Sequence, residues 1–162
     1  MMELPIFLTV TIILSYLLFF LKKSLSFLQN SIVFMVIGLI TKSYLTIMSM
    51  ELKLIQLTKD QFLFMALLMY RDLLIPIVVL IFVNLYYSPT NNKNKTFLFI
   101  GMLTILQGVN LLLAYFQIIT FANWNLLLGG IVNIAYLLIG LVLVKILQYL
   151  QLWESSQNDN SL

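Results

Sequence analysis

Apolar residues fill this chain in five long blocks separated by short polar stretches. The blocks cover residues 4–21, 31–49, 61–87, 96–120 and 125–150, each close to the roughly 20 residues a helix needs to cross a hydrocarbon core about 30 Å thick. Lys22-Lys23 closes the first block, Glu51 the second, and Ser88-Pro89 with the polar run from Thr90 to Lys95 the third; the turn "FANWN" separates the last two. Membrane β-strands would alternate apolar and polar residues over about ten positions, and runs such as "LLIPIVVLIFV" do not alternate. The pattern predicts an all-α integral membrane protein. It is a bundle of five transmembrane helices within residues 1–150, followed by a polar, disordered cytoplasmic tail over 151–162.

Composition agrees and narrows the chemistry. The 162 residues are 62% hydrophobic and 9% charged, with a mean hydropathy of +1.03, whereas a soluble domain is about 45–50% apolar and about 25% charged. The chain has no Cys and no His, which removes disulfides, thiol chemistry, haem ligation and the usual zinc sites. No cofactor and no metal are expected.

The first block resembles a signal-peptide core, but only Glu3 precedes it, its lysines follow it and no small-residue cleavage site is present. It reads as a retained span with the amino terminus outside. This N-out, C-in topology puts Lys22, Lys23, Lys93, Lys95 and Lys145 inside and only Lys53 and Lys59 outside, as the positive-inside rule asks. A plasma-membrane location is expected. The pI of about 9.2, with cations on both faces, suits anionic lipid and gives no case for nucleic acid. Between spans two and three, "ELKLIQLTKD" reads either as an interfacial segment or as a helical extension of span two.

Three ionisable residues lie within spans: Lys42, Arg71 and Asp72. Each costs about 2.5–3.5 kcal/mol on insertion scales and so calls for a partner or a role. Lys42 and Asp72 sit within about 5 Å of one another in depth at 1.5 Å per residue, so a bridge between spans two and three is expected. Arg71 and Asp72 are neighbours about 100° apart on a helix and are not expected to face each other. Pro76 withholds the amide that would bond the Asp72 carbonyl, and a kink is expected there. The cluster reads as a structural bridge, as an ion, proton or anionic-ligand site, or as a surplus positive charge left for a partner protein.

Small and polar residues form stripes at helical spacing. Ser31, Gly38, Lys42, Thr46 and Ser49 share a side of span two, Thr104, Gln107, Asn110, Ala114 and Gln117 a side of span four, and Asn125, Gly129, Gly130, Asn133, Tyr136 and Gly140 a side of span five. These sides are expected to turn inward, for packing or as a polar pathway. The short turn makes spans four and five an antiparallel hairpin. Its expected register sets Gln117 near Gly129 to Asn133 and Asn110 near Tyr136 to Gly140. No internal repeat rises above composition.

No phosphate loop, nucleophile elbow or pair of loop carboxylates occurs, so no catalytic residues and no enzyme are expected. The leading reading is a small multi-pass protein acting as a non-enzymatic accessory, regulatory or sensing subunit, in contact with the lipid bilayer and with another membrane protein or further copies of itself. The alternative is a small ion or solute channel or transporter that uses Lys42, Arg71 and Asp72.

Overall fold

The computed structural model describes residues 3–88, 95–122 and 125–159. Pro89, Lys93, Trp124 and residues 160–162, which bear on the stop signals, the charge count and the tail, lie outside the described residues. Among the described residues, five helices are long and apolar enough to cross a membrane, namely Glu3–Phe20, Phe27–Glu51, Gln61–Tyr86, Lys95–Tyr115 and Leu126–Trp153. Five apolar helices of this length point to a multi-pass membrane protein.

The first span is helix α1 (Glu3–Phe20). A tight turn leads to α2 (Phe27–Thr46), which starts four residues earlier than the apolar pattern suggests because Ser26 and Gln29 form a reciprocal capping box. Asn84 fixes that turn from the third span. Its side-chain oxygen accepts from the amides of Ser24 (3.1 Å) and Leu25 (3.3 Å), and its amide group donates to Asn30 (2.7 Å) and to the Leu80 carbonyl (2.9 Å). Asn84 is fully buried, so leaving these bonds unmade would cost about 1–3 kcal/mol. At the same end of the bundle Gln29 donates to Gln151 across 2.9 Å, tying α2 to the last helix.

The third span is built in three pieces: α3 (Gln61–Met69), a π turn over Tyr70–Leu74 and α4 (Ile75–Tyr86). Asp60 caps α3 by accepting from the amides of Phe62 and Leu63. Proline was expected to kink the span. The distortion takes the form of the wider π turn just before Pro76, in which the Ile75 amide bonds the Tyr70 carbonyl five residues back; widening relieves the clash between the proline ring and the carbonyl four residues earlier. Residues 75–84 are all buried, as befits a helix that is apolar on every side. Within a membrane-length window, 72% of this span is buried, against 17% to 28% of the other four. The third span is therefore the hub, with α1, α2, α5 (Lys95–Tyr115) and α6 (Leu126–Asp159) packed around it.

Both loops at the amino-terminal face of the bundle end in strands rather than helices. Strand β1 (Ile55–Leu57) pairs antiparallel with β2 (Ile119–Phe121), Gln56 opposite Thr120. Two expectations are corrected: beyond Glu51 the segment "ELKLIQLTKD" does not continue α2 as a helix, and the fourth span stops at Tyr115 rather than Thr120. The stop is a Schellman cap. Gln117 takes a left-handed φ of 53°, the Gln117 amide bonds the Ala114 carbonyl and the Ile118 amide bonds the Leu113 carbonyl. The buried pair Ile118 and Leu113 supplies the hydrophobic contact that accompanies this motif. Lys53, with φ 51°, turns the chain out of α2 after a π turn over Ile47–Glu51, and the Leu54 amide bonds back to the Met48 carbonyl.

A repeat thus exists in structure: helix, left-handed residue, short strand, helix, once for spans two and three and once for spans four and five. Packing follows it. α2 packs on α4 as α5 packs on α6, α4 meets α5 as α2 meets α6, and α4 touches α6 across the middle. Exchanging the two hairpins reproduces the same contacts, and α1 is added outside, against the third span. At the other terminus α6 runs on to Asp159, so residues 151–159 are helical and not the disordered tail expected from their polarity; no proline occurs between Leu126 and Asp159, and Leu, Gln and Glu dominate the last turns.

Candidate functional site

The three intramembrane charges do not form one cluster. Asp72 pairs with its neighbour Arg71, not with Lys42: Arg71 Nε donates to Asp72 Oδ1 at 2.6 Å and Arg71 Nη2 donates to Oδ2 at 2.8 Å. The long arginine side chain reaches around the π turn, and the two-pronged fit of guanidinium to carboxylate outweighs the angle between neighbouring positions. Arg71 is mostly shielded and the Asp72 side chain is 45% exposed. The pair is neutral within itself.

Lys42 is exposed on α2, and among the described residues it makes no ion pair. The stripe expected to face inward is split: Lys42 and Thr46 are exposed, Ser31 and Ser49 are half-buried, and Gly38 stands against buried Pro76. Met35, Leu39, Lys42, Thr46 and Met50 are all exposed, while the buried side of α2 is Gln29, Val33, Ile37, Thr41 and Leu45. A longer buried face of β-branched and leucine side chains packs on the hub better than one carrying Lys42. Thr41, which donates to the Ile37 carbonyl at 2.7 Å, is thereby the polar group that α2 contributes to the interior.

Spans four and five do form an antiparallel hairpin, with a different register from the one expected. Gln107 sits opposite the start of α6, donating to the Leu126 carbonyl (2.9 Å) and accepting from Asn133 (3.2 Å). Gly129 faces Asn110 and Gly130 faces Gln107, each leaving just enough room for the amide. Gln117 lies in the turn beyond α5 and is exposed, so it takes no part. Gly140 faces the hub, not α5. A Cβ there would lie 2.6 Å from Val79 Cγ1 and 3.2 Å from Val83 Cγ1, so the missing side chain is what brings α6 onto α4. Pro76, the other marked residue of the hub, is buried beside Gly38 of α2, 3.9 Å from where a Cβ would stand.

The polar groups that do converge were only partly foreseen. A cavity of about 40 Å³ lies between the two hairpins. Its polar lining is Thr41 and Tyr44 from α2, Tyr70 from the third span, Asn110 from α5, and Asn133 and Tyr136 from α6; Ile55 of β1 and Ile119 of β2 close it at the ribbon. Tyr70 donates to Asn110 at 2.6 Å. The rings of Tyr44 and Tyr136 meet edge to face at 6.2 Å. Tyr136 is 3% exposed, and among the described residues its hydroxyl makes no hydrogen bond of standard geometry; Thr41, beside it, gives its own hydrogen to Ile37. Of the lining residues, Asn110 and Asn133 were marked by their amides within a span. Tyr44 and Tyr70 were not, because tyrosine in a membrane sequence reads first as an interfacial anchor.

Comparison with protein-family models, with curated proteins and with solved structures finds no match to the chain.

Proposed function

We propose that this protein is a non-enzymatic accessory subunit that docks, within the plasma membrane, onto a helix of another membrane protein through the exposed face of α2. The observation that carries this reading is Lys42, exposed at mid-span among apolar side chains and without an ion pair among the described residues. Snorkelling serves it poorly. The nearer end of its helix is Glu51, nine residues and about 13 Å away, whereas side chains on a helix lean toward the amino-terminal end, here toward the membrane middle. A carboxylate on a partner's helix would neutralise it. A two-fold dimer through this face would set Lys42 against its own copy, so the partner is a different chain. The alternative, a conduction path through Lys42, Arg71 and Asp72, has weaker support, since Arg71 and Asp72 satisfy each other and none of the three lines the cavity.

The test is copurification from native membranes in mild detergent. Lys42→Arg should retain a stoichiometric partner that carries an acidic residue within a span, and Lys42→Met should lose it. Exchanging the charges, Lys42→Glu against Lys in the partner, should restore the complex. Equal recovery with Lys42→Met would sink the reading.

A further inference from the structure

We infer that the cavity beneath the β-ribbon is a binding site for a small uncharged solute that both donates and accepts hydrogen bonds. The size sets the first limit. About 40 Å³ holds on the order of three waters when one takes roughly 10–15 Å³, hence a molecule of three or four heavy atoms, and excludes lipids and drug-sized ligands, which need about 300 Å³ or more.

The lining sets the second limit. It contains hydroxyls and amides from both hairpins but no charged side chain, so an ion would enter with no countercharge to offset its lost hydration. A purely apolar occupant fits no better, because the Tyr136 hydroxyl is buried and has no hydrogen-bond partner among the described residues. A buried orphan of this kind in a roomy polar cavity marks the place of a molecule with a lone pair or a hydrogen to share. The Tyr70 to Asn110 bond at 2.6 Å holds a second polar group in the wall without using the Asn110 amide hydrogens. Location points the same way. Every lining residue belongs to one of the two structurally repeated hairpins and none to α1, and in membrane proteins built from repeats the interface between them is where solute sites form.

The protein in lipid nanodiscs can be titrated with formamide, a neutral solute of three heavy atoms, and with formamidinium, which has the same shape and a positive charge. Amide resonances of Gly129 and Asn133 should shift saturably with formamide and stay unmoved with formamidinium. Tyr136→Phe removes the unpartnered hydroxyl and should weaken formamide binding roughly threefold to tenfold, the worth of one neutral hydrogen bond. Gly129→Ala adds a methyl group at 3.4 Å from Asn110, reduces the free space and should weaken it as well, which keeps the test decisive if Tyr136→Phe fails to fold. An unresponsive wild-type protein, an equal response to both probes, or unchanged affinity in the variants would each overturn the assignment.

Discussion

A single missing side chain determines how closely α6 approaches the hub. Gly140 stands where a Cβ would overlap Val79, and in lipid close approach of helices is the main source of their attraction. Gly140→Ala should lower stability by about 1–3 kcal/mol, as overpacking does elsewhere, and Val79→Ala in the same chain should return part of that loss by removing the blocking methyl. Gly101 gives the contrast: nothing lies within 4 Å of its would-be Cβ, so Gly101→Ala should be neutral or raise stability by up to about 1 kcal/mol. Thermal melting of the wild type and the three variants in one detergent checks both claims, and equal losses at the two glycines would refute them. The sequence marked Gly140 as a contact glycine but assigned it to α5, because helical spacing identifies a face without saying which neighbour meets it. Asn84 was not marked at all. Its signal was a lone amide in the most apolar stretch of the chain, "IPIVVLIFVNLY", and its partners are backbone groups sixty residues away, which no local pattern reveals.

Elements of membrane-crossing length were legible because lipid demands an unbroken apolar run, and the five helices fall within a few residues of the five blocks. Their ends were legible only where charge or proline marked them. The two strands were hidden for a specific reason: both caps are formed by residues, Lys53 and Gln117, that rarely adopt positive φ, so neither loop carries the glycine that usually announces such a stop. Three residues of β1 and three of β2 then pair only with one another, and a pairing across two spans leaves no periodic trace. Cysteine substitution at Gln56 and Thr120, which face each other in the ribbon and are both exposed, gives a clean test in a chain with no native thiol. A short bifunctional thiol reagent should bridge the double variant within one chain in high yield, since opposed Cα atoms in such a pair lie about 5.5 Å apart. A helical extension of α2 would leave the two thiols unbridged and each singly modified.

At the scale of the whole molecule, an odd number of spans sends the termini to opposite faces. The ribbon lies on the face from which α1 starts, because α2 and α5 both run toward it and α3 and α6 both leave it. The opposite face holds the Lys22-Lys23 pair, exposed in the first turn, and Lys95, whose ammonium stands 4.8 Å from the centre of the Tyr86 ring. A cation over an aromatic ring at the end of a span is what an interfacial anchor looks like at either face. The ribbon face carries Lys53 and Lys59 too, yet Asp60 there is engaged as a helix cap and the loop backbone is consumed by strand pairing, which leaves a compact lid with no extended basic segment to hold at an anionic leaflet. Single cysteines therefore report orientation: Gln56→Cys should react with a membrane-impermeant maleimide added to intact cells, and Lys23→Cys should react only after the membrane is opened. The reverse labelling would place the ribbon, and with it the proposed solute site beneath it, toward the cytoplasmic side.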